Sequence, residues 1–177
     1  MPLFCFQSLC YNLQNFKGMA MAYWKWDPAF SVDIAVIDNQ HKRIIEYINE
    51  LGTVSMYQNK DKVHTVLVSL IDYTVSHFSF EESLMQEAGY SMLEAHKKVH
   101  FAFIERINFF KERYENGEDI AKQLMMDLQI WLVNHIQHDD TDYKEIVQAM
   151  LQKKQIAPME GQIKDGWLTT LIDKFFK

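Results

Sequence analysis

Six residues interrupt apolar stripes at helical spacing: His41, His77, Glu81, His96, His100 and His135. His77 and Glu81 stand four apart, as do His96 and His100, so each pair projects from one helix face. A single histidine on an apolar stripe is more often hydrogen-bonded in a core than bound to a metal. Six polar residues on core-facing positions are a different case, because each buried polar group needs a partner. Buried neutral histidines grouped together have little reason to exist without an electrophile, and a metal ion supplies one. A seventh candidate lies in the run His135-Ile-Gln-His-Asp-Asp140. Helical spacing favours Asp139, four after His135, over Asp140, five after, and periodicity alone leaves the choice open.

Four amphipathic segments must position these residues. The first starts near Asp38 and carries His41, Ile44, Ile45, Ile48 and Leu51 on one face, weakening at Gly52 and ending before Asn59. The second follows Asp61, a suitable N-cap, and runs Val63, Val66, Leu67, Leu70, Ile71, Thr74, His77, Phe78, Glu81, Leu84, Met85 to a stop at Gly89. Ser91 can cap the third, whose stripe reads Leu93, His96, His100, Phe103, Ile104, Ile107, Phe110. Glu115-Asn116-Gly117 breaks the chain, and Asp119 can cap a fourth helix with Leu124, Leu128, Trp131, Leu132 and His135 in register. Four helices with short connections predict an all-α, up-down-up-down antiparallel bundle. No strand pattern competes with it.

Composition agrees. With 177 residues, 48% of them hydrophobic, the chain can bury one domain-sized core, and three prolines and six glycines leave long helices intact. Lys+Arg of 18 against Asp+Glu of 24 gives a net charge of -6, which argues against nucleic acid as a partner. Cys5 and Cys10 have neither CxxC spacing nor later partners, so no disulfide framework is expected and a cytoplasmic location fits. No apolar run is long enough to span a bilayer. The apolar stretch from Leu3 to Leu13 lacks a preceding positive charge and a clear cleavage site, so it reads poorly as a signal peptide. Met19 and Met21 leave open whether the residues before them are an arm or lie upstream of the true start.

The segments Ile37-Asp-Asn-Gln-His41-Lys, His77-Phe-Ser-Phe-Glu81-Glu-Ser-Leu-Met85, His96-Lys-Lys-Val-His100 and His135-Ile-Gln-His-Asp-Asp140-x-x-Tyr143 resemble those of hemerythrins, in their bacterial branch. Order and spacing are kept from about Trp24 to Tyr143, so four separate motifs agree. The resemblance implies two non-heme irons joined by an oxo or hydroxo bridge, and it places the second carboxylate at Asp140. His96, His100 and His135 would hold one iron, His41 and His77 the other, with Glu81 and Asp140 bridging. Two octahedral metals need twelve positions, and these ligands with the bridging oxygen fill all but one. The open position would take O2. Ile44, Phe78, Trp131, Ile136 and Gln137 are implied as the lining of the O2 pocket, Gln137 standing where some relatives carry an apolar residue.

The ligand set is richer in histidine than the Glu-x-x-His sites of ferritin-like di-iron enzymes, which favours reversible binding over oxygenation. The expected function is therefore O2 transport, storage or supply rather than enzymatic turnover. A di-iron redox enzyme and an oxygen or nitric oxide sensor are the alternatives, and manganese or zinc would also suit these ligands. His64 and His138 fall outside the set and read as surface residues. Residues 1–23 read as an N-terminal arm, 24–150 as the bundle, and 151–177 as a polar linker with Pro158 and Gly161 leading into an amphipathic end. In that end Trp167, Leu168, Leu171, Ile172, Phe175 and Phe176 share one helical face. It can fold back on the bundle, dock on a partner protein or lie on a membrane surface, and its mixed charges make the membrane the weakest of the three.

Overall fold

The structure, a computed structural model, describes residues 23–57, 59–156 and 166–176. Nearly all of the expected arm, with Cys5 and Cys10, and the Pro158–Gly161 part of the linker lie outside the described residues. Helices α1 (Ala35–Met56), α2 (Lys60–Ala88), α3 (Leu93–Glu115) and α4 (Ala121–Asn134) follow in order. A π-helical segment, His135–Asp140, joins α4 directly to α5 (Thr141–Ile156), and a separate α6 spans Gly166–Phe176. The described residues contain no strand. The molecule is the expected four-helix bundle, with α4, the π segment and α5 forming its fourth rod.

Each helix is fixed by local chemistry, not always by the residue that the sequence suggested. Asn59, rather than Asp61, caps α2, its side chain accepting from the Lys62 amide at 3.0 Å. Gly89 ends α2 in the left-handed region at φ 72°, which lets the Tyr90 amide reach back to the Met85 carbonyl at 3.0 Å. Ser91 and Asp119 do not cap their helices; α3 and α4 begin after Met92 and Ile120, neither with a side-chain cap. Ile120 is 1% exposed, so burial of its side chain sets where α4 begins. The last rod also outruns the expected boundary at 150. Gln152, Lys153 and Lys154 are good helix formers, and Lys154 pairs with Glu87 of α2 at 2.6 Å.

The segment before α1 is strapped along the bundle. Asn49 exchanges two 2.8 Å hydrogen bonds with the Trp24 backbone, and Asp38 accepts from Ser31 Oγ at 2.6 Å and the Val32 amide at 2.9 Å. Helix α6 packs its apolar stripe against α2: Phe175 and Phe176 contact Phe80, and Phe176 contacts Tyr73. The end of the chain thus folds back on its own bundle. No helix among the described residues is long and apolar enough to cross a membrane. Ile37, Ile48, Leu51, Leu67, Leu70, Leu84 and Ile107 form a close-packed interior. The polar residues of the four stripes meet inside it.

Candidate metal centre

All seven sequence candidates are brought together, and each is buried: His41, His77, Glu81 and Asp140 at 0% exposure, His135 at 1%, His100 at 2% and His96 at 5%. α1 supplies His41, α2 His77 and Glu81, α3 His96 and His100, and the π segment His135 and Asp140. The π segment answers the choice that periodicity left open. In i→i+5 geometry a residue five positions on, not four, falls under the first, so Asp140 turns inward with His135. Asp139 turns to the rim, where its carboxylate meets His135 Nδ1 at 3.1 Å.

Two groups form around a shared carboxylate. His96, His100 and His135 close on Glu81 on one side, His41 and His77 on the other, the ligand atoms of each group within 4.8 Å of one another. His100 Nε2 lies 3.0 Å from His96 Nε2 and 3.1 Å from His135 Nε2. His100 and His135 turn their Nδ1 atoms to Glu82 and Asp139, so their Nε2 lone pairs point inward. Adjacent ligand atoms on an octahedral ion with bonds of roughly 2.1 Å lie roughly 3.0 Å apart, which is the spacing seen. Asp140 spans the groups, Oδ1 3.0 Å from His135 Nε2 and Oδ2 3.3 Å from His41 Nε2. Glu81 Oε2 lies 3.2 Å from His100 Nε2 and 3.9 Å from His77 Nε2.

Six buried atoms in this cluster have no hydrogen-bond partner among the described residues: both ring nitrogens of His41, His77 Nε2, Glu81 Oε2 and both Asp140 oxygens. Orphaned buried polar atoms carry a desolvation penalty of about 1–3 kcal/mol each. Five of the six are atoms that two metal ions would engage, so the donor set fits a dinuclear site. Without metal the cluster is electrostatically divided. Burial pushes His77 down to about 3. Burial also opposes charge on His135, but Asp140, Asp139 and Glu81 outweigh it and raise its pKa well above the usual histidine range. Burial would raise Glu81, yet His77 and the three clustered histidines hold its carboxyl well below the ordinary value.

Rings wall the site. Phe78 stacks on His100 with centroids 3.7 Å apart, Trp131 stacks on His135 at 4.3 Å, and Phe103 stacks on Trp131 at 3.5 Å. Ile44 and Ile136 are buried, three residues after His41 and directly after His135 in sequence. Gln137 does not belong to this wall. It is exposed, because the π segment directs His135, Ile136 and Asp140 inward and the residues between them outward. His64 and His138 are also exposed, as expected.

Gln40, Glu82 and Tyr143 around the cluster were given no role from the sequence, and Asp139 entered only as the alternative to Asp140 as a ligand. Gln40 accepts from His77 Nδ1 at 2.8 Å, Glu82 from His100 Nδ1 at 2.8 Å, and Asp139 faces His135. Tyr143 donates its hydroxyl to Glu81 Oε1. Gln40, Glu82 and Asp139 each adjoin a candidate ligand in sequence, and Tyr143 lies three after Asp140, a signal too common to be decisive by itself.

The profile of the hemerythrin HHE cation binding domain matches residues 32–147. A bacteriohemerythrin of Pseudomonas aeruginosa is 40% identical over 156 residues, spanning 88% of this chain and 99% of the relative. One of Methylococcus capsulatus is 32% identical over 131 residues, 73% of this chain and 100% of its own. A solved structure of wild-type hemerythrin, 30% identical, superposes with a TM-score of 0.68 over 71% of this chain and 98% of that one.

Proposed function

The chain belongs to the hemerythrin family, and from that premise we propose that it binds O2 reversibly at two non-heme irons, for oxygen transport, storage or supply. His96, His100 and His135 would hold one iron and His41 and His77 the other, with Glu81 and Asp140 available to both. The observation that carries the reading is the convergence of five imidazoles and two carboxylates whose inward atoms lack other partners. Ferrous iron in such a site supplies O2 ligation and the electrons on which it draws.

The side chains do the rest. Gln40, Glu82 and Asp139 fix three imidazoles by their Nδ1 atoms, which commits the Nε2 lone pairs to the interior. Tyr143 occupies Glu81 Oε1 and leaves Oε2 facing the histidines. Phe78, Trp131, Ile44 and Ile136 present apolar surface that keeps water from the centre. Reversible binding requires no acid or base catalyst, and the cysteine usage fits the cytoplasm.

The test is the absorption spectrum of the anaerobically reduced protein before and after O2 is admitted. Charge-transfer bands that appear with O2 and vanish on its removal support the proposal. Bands that decay directly to a stable oxidised form favour a redox enzyme or sensor. Absence of bands means that the site lacks iron or is not an O2-binding centre, and overturns the proposal.

A further inference from the structure

The two halves of the centre differ in what stands behind their histidines. Glu82 Oε1 lies 2.8 Å from His100 Nδ1, and Asp139 Oδ2 lies 3.1 Å from His135 Nδ1. Both partners on the three-histidine side are carboxylates. On the two-histidine side His77 Nδ1 meets the neutral amide oxygen of Gln40 at 2.8 Å, and His41 Nδ1 is buried with no partner. A carboxylate behind an imidazole makes its Nε2 a stronger donor and adds negative charge near a bound cation. An amide does so far less.

We propose that Glu82 and Asp139 are positioning residues that set the two metal positions apart in affinity, so that the His96, His100 and His135 position fills first and holds its ion more tightly. The inference rests on the ligand assignment above and adds to it a loading order. The extra histidine on that side also strengthens it, so the contribution of the outer carboxylates has to be isolated by substitution. Their reach is moderated by water, since the Glu82 and Asp139 side chains are 25% and 38% exposed.

The experiment is titration of the metal-free full-length protein with Co(II), following d–d absorption and calorimetric heat, with helix content checked by circular dichroism. The unsubstituted chain is expected to bind two Co(II) in two resolved steps, and His77→Ala to abolish the weaker one. Glu82→Gln and Asp139→Asn should each weaken the tighter step by about tenfold, the low end of the range for outer-shell partners, and spare the weaker step. Gln40→Glu should strengthen the weaker step by a comparable factor, a gain that a purely structural role would not produce. Equal weakening of both steps by Glu82→Gln and Asp139→Asn, or no change in either step, overturns the inference while leaving the dinuclear site intact. So does an unaltered weaker step in Gln40→Glu. Fewer than two Co(II) bound by the unsubstituted chain overturns the ligand assignment itself, and the inference with it.

Discussion

Tyr143 and Glu81, 62 residues apart in sequence and both 0% exposed, are joined by a hydrogen bond from the phenol to Oε1 of the carboxylate. The bond ties the fourth rod to α2 at the level of the metal centre. It also divides the labour of one carboxylate, with Oε1 spent on the fold and Oε2 directed to the histidines. Burial, with Glu81 and Asp140 nearby, holds the Tyr143 phenol well above its usual pKa, so it stays a donor.

Removing that donor should be costly. Tyr143→Phe keeps the ring and leaves Glu81 Oε1 buried without its partner, which is expected to lower stability by about 1–3 kcal/mol. Urea unfolding of the metal-free variant reads this directly. A loss below about 0.5 kcal/mol would show that the bond contributes little net energy.

The metal-free protein should lose stability on mild acidification. His77 is pushed down to about 3 by burial, whereas the unfolded chain protonates it near the ordinary value of about 6.5. Between those values the unfolded state binds the extra proton, so stability falls as pH falls. His100 and His135 have raised values, so they oppose this loss near and above the unfolded value of about 6.5 and contribute little below about pH 6, where the unfolded chain also protonates them. Glu81 and Asp140 have lowered values and add their losses only below the ordinary carboxylate range. From pH 6 to pH 5 the His77 contribution amounts to about 1 kcal/mol. Unfolding curves at the two pH values measure it, and His77→Gln should flatten the difference.

Much of this centre was legible because ligands on helices must recur at helical spacing. His41, His77, Glu81, His96, His100 and His135 each broke an apolar stripe, and periodicity alone located them. Asp140 was not legible in that way, since the π segment resets the register by one residue and only the family resemblance chose it. The same reset explains why Gln137 proved exposed. Helix starts were also less legible than helix stops. Gly89 and Gly117 end helices at positive φ, which few other residues adopt. Ser91 and Asp119 suit a cap, but packing of neighbours such as Ile120 decided where the helices begin.

The inward and outward aspartates give a paired test. Asp140→Ala removes a carboxylate that faces both histidine groups, and iron content is expected to fall from two towards one or none per chain. Asp139→Ala leaves the shared ligands in place and should retain two irons, though less tightly held. Elemental analysis after equal dialysis against a chelator compares them, and equal iron in both variants would count against the inward role of Asp140.

Helix α6 should be the least protected helix of the described chain. Its apolar stripe is only half-buried, and a groove of ≈ 770 Å³ lies between it and the bundle, lined by Ile34, Tyr73, Leu168, Ile172 and Phe176 among others. A helix held only by half-buried contacts opens at a lower free energy than one in the core. Hydrogen exchange at α6 amides is expected to run orders of magnitude faster than in the middle of α2, and exchange as slow as α2 would mean that a stronger contact holds it.

The exposed Gln137 and the buried Ile136 lead to opposite expectations for the oxygen pocket. Gln137 points to solvent, so Gln137→Leu should leave the rate of autoxidation within about twofold, a difference worth under roughly 0.5 kcal/mol of barrier. Ile136 is 2% exposed and adjoins His135. Ile136→Ala opens space beside that histidine, admits water to a dry wall and should speed autoxidation by about tenfold or more, equivalent to roughly 1.4 kcal/mol of barrier. The decay of the oxygenated spectrum at fixed pH and temperature compares the two. If Gln137→Leu changed the decay and Ile136→Ala did not, the side chain guarding the pocket would be the one the π segment turns outward, and the wall described here would have to be redrawn.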